Sequence, residues 1–201
     1  KKYGGIKRLY SHFQHLYIRQ EITKFPDYVI VEDANAGYQF FRAYFQDRNV
    51  LCKSAKGKSN IFTIIAALPP EQSILVIADG AAFGSEMDRL NKLTNGRNLA
   101  LFLPESFEWI ILASGLVDGT DDVLANTSEY VDSLKYFSWE RFFSSFLTEQ
   151  TRETYLAYKK SKLNQNYLRE REMMAISDIL PDGLKKETAQ SEDRYHDGAQ
   201  R

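Results

Sequence analysis

Tyr28-Val29-Ile30-Val31-Glu32-Asp33 and Ile74-Leu75-Val76-Ile77-Ala78-Asp79-Gly80 decide the fold of this chain. Each is a short apolar run, rich in β-branched residues, that ends in acids. Runs of this kind, without polar alternation, read as strands buried on both faces of a parallel sheet. Acids at the carboxyl ends of such strands lie where open α/β sheets place their sites.

Working outward, two more short strands are expected at Asn49–Cys52 and at residues 99–103, the latter ended by Pro104. Between the strands, helix-spaced apolar residues predict helices over Ala34–Phe45, Asn60–Leu68, Ser85–Leu93 and Glu105–Ser114. Pro69-Pro70 stops the second of these. Four alternations of strand and helix predict an α/β fold: a mostly parallel four-stranded sheet flanked by helices, with right-handed crossovers. An amphipathic helix at residues 6–22 precedes it, broken by Phe25-Pro26-Asp27. After Asp118 the chain becomes an α-helical C-terminal extension. Asn126-Thr127-Ser128-Glu129 reads as a helix cap, an apolar stripe runs from Trp139 to Leu147, and Thr151 to about Leu180 reads as one more helix. The expected organisation is a helix at 1–26, the α/β domain at 27–118, the extension at 119–184 and a polar tail at 185–201.

The 201 residues fit one large domain, which at this size buries roughly 70% of its unfolded surface. One cysteine, Cys52, excludes an internal disulfide, and with only three histidines a zinc finger is excluded too. A cytoplasmic setting is expected. No apolar run reaches the roughly 18 residues of a membrane span, and Lys1-Lys2-Tyr3-Gly4-Gly5 lacks the apolar core of a signal peptide. A net charge of −1 gives no global field to draw in nucleic acid, so DNA or RNA contact would rest on local basic clusters.

Glu32 and Asp79 close the first and third strands. If those strands are neighbours, the two carboxylates face one crevice, and hard cations such as Mg²⁺ take such oxygens. The competing reading is that these acids cap the next turn or helix. Lys56-Gly57-Lys58-Ser59 offers backbone N–H groups and an ammonium to one phosphate. A P-loop is excluded, because the place of its first glycine is Cys52. A solvated basic turn is the plainer alternative. Glu108 stands inside the apolar run Phe107-Glu108-Trp109-Ile110-Ile111, where a carboxylate is costly to bury without a partner. In the extension, Arg152, Lys159, Lys160, Lys162, Arg169 and Arg171 interleave with Tyr155, Tyr158 and Tyr167. That mixture suits a backbone-gripping surface with stacking platforms. It suits equally a solvated helix face with inward tyrosines, diluted by Glu149, Glu153, Glu170 and Glu172.

As an ordered set, these residues resemble the TOPRIM (topoisomerase–primase) fold in the variant of OLD-type nucleases and related mobile-element or phage-defence proteins. The resemblance covers about residues 27–115. It rests on Glu32 after the first strand, Gly57-Lys58-Ser59-Asn60 before the second helix, Asp79-Gly80-Ala81 after the third strand and Glu108 after the fourth. It implies a Mg²⁺- or Mn²⁺-dependent nuclease or phosphoryl-transfer enzyme acting on nucleic acid. Glu32, Asp79 and Glu108 would be the metal ligands or base, and Gly57, Lys58 and Ser59 the phosphate binders. The family's Asp-x-Asp is broken here, since its second acid is Ala81. Asp33, Glu86 and Asp88 are the acids that would compensate, the last two from the next helix. The alternative is a catalytically degenerate TOPRIM-like binding or regulatory module, and a third reading is a nucleotide switch built on Lys56–Ser59.

Overall fold

The computed structural model describes residues 25–94, 96–131 and 138–185; the helix expected at 6–22 and the tail from residue 186 lie outside them. Four strands form: β1 Tyr28–Val31, β2 Leu51–Ser54, β3 Ile74–Ile77 and β4 Leu99–Phe102, with β2 two residues later than the expected Asn49–Cys52. All pair in parallel, in the order β2-β1-β3-β4. The chain therefore starts in the middle of the sheet, steps outward to β2, then returns across β1 to β3 and β4. Between β1 and β3 the direction of winding reverses, which makes that gap the topological switch point of the sheet.

Alternation along the strands sorts the side chains onto two faces. Val29, Val31, Leu75 and Ile77 point to one face, where α1 (Ala36–Phe45) and the helix after β4 cover them. Ile30, Ile74, Val76, Leu99 and Leu101 point to the other, covered by α2 (Lys58–Ala66), the short α3 (Gly80–Phe83) and α4 (Met87–Thr94). The helix after β4 is α5 (Phe107–Ala113), which lies with α1. Crossovers that travel in opposite directions use opposite faces, as one crossover hand requires.

Several helices start later than the apolar pattern suggests. Asp33 Oδ1 accepts from Tyr38 N–H at 2.8 Å, so the chain turns before entering α1 at Ala36. Ser106 caps α5 by accepting from Trp109 N–H at 3.2 Å, leaving Pro104-Glu105 outside. Gly84–Glu86 is a 3₁₀ turn that leads into α4. Gly37 brings α1 close to its neighbours: an added Cβ would sit 3.2 Å from both Asp33 Oδ2 and Phe107.

The described residues beyond Asp118 pack onto the α/β layers. Helices α6 (Asp121–Ala125), α7 (Thr127–Val131), α8 (Trp139–Thr151) and α9 (Glu170–Ser177) add a layer over α1 and α5. Phe142, Phe143, Leu147, Tyr158, Tyr167 and Leu184 belong to the same buried cluster as Val29 and Phe40. The continuous helix expected from Thr151 to about Leu180 is not formed. Thr151 ends α8: its hydroxyl donates to Leu147 O at 2.7 Å and accepts from Tyr158 N–H at 2.9 Å. Asn164 then holds the irregular segment by donating to Tyr155 O and Ala157 O, at 2.9 and 3.1 Å. Such side-chain bonds compete with helical ones and win here. Among the described residues, no helix is long and apolar enough to cross a membrane.

Candidate functional site

Residue Val31 pairs with Ile77, so Glu32 is level with Ala78, and Asp79 follows one residue further along the adjacent strand. Glu32 Oε2 accepts from the Asp79 backbone N–H at 3.1 Å, tying the two strand ends together. They line a small cavity of about 30 Å³ with Asp33, Glu108, Glu140 and Lys160, walled by Phe41, Ile77, Phe107 and Ile110. That volume admits an ion or a few waters, not a nucleotide.

The sequence leaves open whether the strand-end acids are caps. Asp33 is one: its carboxylate holds the start of α1. Asp79 is not. It sits at the N-cap of α3 without a side-chain capping bond, and no described residue donates a hydrogen bond to its carboxylate. Burial, followed by the charges of Glu140, Glu32 and Glu108, pushes its pKa up to about 8. Glu32 is raised as well, first by burial; the Asp79 N–H and the Lys58 charge pull the other way. Asp33 is raised by burial, against the Tyr38 N–H, and further by the charge of Glu108.

The odd acid in the apolar run, Glu108, is buried and satisfied. Its Oε1 accepts from Ser144 Oγ at 2.5 Å and from Tyr158 OH at 2.8 Å. Two hydroxyls from the C-terminal layer thus fix it at the back of the cavity. Burial and the Glu108 charge raise the Tyr158 pKa, so the phenol stays protonated and keeps donating.

Lysine 160 and Glu140 are members of this site that the sequence did not single out. Glu140 lies in the first turn of α8 and forms an ion pair with Lys160. Burial lowers the Lys160 pKa, but the Glu140 bond and the charges of Glu108, Glu140 and Asp79 outweigh it and leave the pKa raised. Local sequence carries no signal for either, because both arrive by tertiary packing.

The Lys56–Ser59 loop borders the site without entering it. Lys56 has φ 56° and Gly57 φ 125°, a turn that suits glycine at the second position. The Gly57 N–H donates to Glu32 O at 2.8 Å, so this donor already serves the β1 end. Lys58 is near enough for its charge to act on Glu32, whereas Ser59 is exposed. Of the acids named as compensating for Ala81, Asp33 reaches the cavity. Glu86 instead pairs with Arg89 at 3.4 Å, and Asp88 is exposed.

Among the described residues, no group of three or more His, Cys, Asp or Glu side chains is arranged to hold a metal ion. The mixed basic and aromatic segment resolves mostly into structure. Tyr158 and Tyr167 are buried, Arg152 pairs with Glu149, and Tyr155 is exposed beside Arg169. Compared with family models, curated proteins and solved structures, the chain matches none.

Proposed function

We propose that the cavity at the β1–β3 switch point is a divalent-cation site for phosphate chemistry on nucleic acid, as the TOPRIM resemblance implies. The observation that carries this reading is the Asp79 carboxylate. It receives no hydrogen bond from the described residues, lies against Glu32, and has its pKa pushed up to about 8 by burial and crowded acids. Carboxylate oxygens without a hydrogen-bond donor suit a hard cation, and Mg²⁺ commonly binds through one or two carboxylates with water and phosphate completing its shell. Glu32 and Asp79 would hold the ion. Mg²⁺ or Mn²⁺ there would polarise a phosphoryl oxygen or activate a water. Glu108, fixed by Ser144 and Tyr158, adds negative charge behind the ligands, and Lys58 steadies a phosphate at the rim. The donor set does not make a three-carboxylate cage, so Glu108 serves better as a neighbouring charge than as a third ligand.

A second reading, a binding module without catalysis, is favoured by Ala81 and by the ammonium of Lys160 among the acids. Calorimetry with Mg²⁺ and Mn²⁺, alongside incubation with labelled DNA and RNA, separates the two. The expected outcome is metal binding that is lost in Glu32→Gln and Asp79→Asn, with cleavage lost in parallel. Binding that persists in both variants sinks the site; binding without cleavage of any strand selects the second reading.

A further inference from the structure

We propose that Lys160 is a tethered counter-ion of this cavity, which a divalent cation must displace before the site can load. The inference rests on the cation-site reading above and adds its regulation.

The position of Lys160 is imposed by the backbone. Its carbonyl accepts from Ala36 N–H at 3.1 Å, at the first residue of α1. Three residues on, Leu163 N–H donates to Gln39 Oε1 at 3.0 Å. Both partners belong to the opening of the helix that follows Glu32-Asp33. The irregular segment after α8 is thereby pinned beside the acids, and the lysine side chain is directed to them.

The ammonium faces Glu140 directly, and Glu108 and Asp79 act on it through their charges. Asp33 feels it too, while the Lys58 charge acts on Glu32. Five carboxylates line the cavity, and Lys160 is the cation that lines it with them. The Lys160–Glu140 pair is not sealed in: the two side chains are 41% and 39% exposed, so the lysine can leave without unfolding its segment. The cavity of about 30 Å³ is the space left with Lys160 in its wall, so a divalent cation placed there stands against the ammonium. Like charges at that separation repel, and the two cations compete for the same carboxylates. Loading is opposed until Lys160 swings outward, where it becomes available to an anionic ligand.

The experiment is Mg²⁺ titration by calorimetry into the full chain, comparing wild type with Lys160→Met, Lys160→Gln and Lys160→Arg. Thermal melts with and without Mg²⁺ provide a second readout. Lys160→Met and Lys160→Gln should bind Mg²⁺ about tenfold more tightly than wild type, because one competing positive charge is gone. Lys160→Arg should stay near wild type. Without metal the two neutral variants should melt lower than wild type, and Mg²⁺ should raise their melting temperature more. If wild type binds and the neutral variants bind equally or more weakly, the lysine is not a competitor and the proposal falls, leaving the cation site standing. If neither wild type nor the neutral variants bind Mg²⁺ or Mn²⁺, both readings fall together.

Discussion

The two faces of the sheet are covered by different chemistry. On one, Ile30, Ile74, Val76, Leu99 and Leu101 meet Ile61, Ile65 and Leu90, with Phe83 among them. On the other, Val29, Val31, Leu75 and Ile77 meet Phe40, Phe41, Tyr44, Phe45 and Phe107, then a further layer bearing Phe142, Phe143, Tyr158 and Tyr167. Among the described residues, the aliphatic face is closed by one layer of short helices. The aromatic face buries a second layer, and its tyrosines carry hydroxyls to distant polar groups: Tyr44 to Leu184 O, Tyr158 to Glu108 and Tyr167 to Leu156 O. Rings combine a large apolar area with a polar tip. The difference teaches why the acidic cavity opens on the aromatic side: only there does the packing reach far enough to deliver Glu108, Glu140 and Lys160 to the strand ends.

The largest test of this contrast compares Phe143→Ala with Ile65→Ala; both residues are fully buried. Truncating the ring should cost about 4 kcal/mol and truncating the isoleucine about 3 kcal/mol, read by chemical denaturation. Hydrogen exchange should separate them further. Phe143→Ala should expose amides of residues 138–185, and Ile65→Ala should leave those amides protected. Equal deprotection of that layer by both variants would break the contrast.

The sheet was legible because parallel strands buried on both faces read as apolar runs, as in Val29-Ile30-Val31 and Leu75-Val76-Ile77. The convergence of Glu32, Asp79 and Glu108 on one cavity was legible in part, since two are strand-end acids and the third is out of place in an apolar run. What could not be read is long-range. Lys160 looked like one more base in a charged segment, because what places it is the bond from Leu163 to Gln39, 124 residues away. Glu108 finds its hydroxyl donors 36 and 50 residues further on. The break of the long helix at Thr151 was hidden in side-chain-to-backbone bonds that helix propensity does not encode.

A smaller effect tests whether electrostatic strain is concentrated on the aromatic side. Asp79 and Glu105 have pKa values pushed up to about 8 and about 7, both with burial as the first cause. In the window between the ordinary carboxylate pKa and these values, the folded chain holds protons that the unfolded chain has released. Stability contributed by the protonated forms is full below about pH 4 and is lost as pH rises through 7 and 8. Both groups are mostly buried but not sealed from water, and solvent screening limits the loss to about 2 kcal/mol across the window. Melting temperatures of the metal-free chain should therefore fall between pH 5 and 8.5, by several degrees at this chain length. Asp79→Asn should flatten the upper part of that fall and Glu105→Gln the lower part. An unchanged slope in both variants would place the strain elsewhere.

The smallest effect isolates the polar tips from the bulk of the rings. Tyr44 is buried, and its hydroxyl donates to Leu184 O at 2.5 Å, joining α1 to the last turn of the C-terminal layer. Arg48 Nη1 approaches the same carbonyl at 3.4 Å, and its guanidinium stacks over the Tyr44 ring at 4.8 Å. Tyr44→Phe keeps the ring, its stacking with Phe40 and its area, and removes only the donor. A net hydrogen bond contributes about 1 kcal/mol, and the carbonyl keeps Arg48 as a weaker donor, so the loss should be about 1 kcal/mol. Denaturant midpoints of Tyr44→Phe and wild type measure it. Amides near Leu184 should lose protection first, because that hydroxyl is their direct tie to α1. If Tyr44→Phe is neutral and those amides stay protected, the aromatic face holds its outer layer by ring packing alone. The hydroxyls would then matter only where, as at Tyr158, they meet a carboxylate.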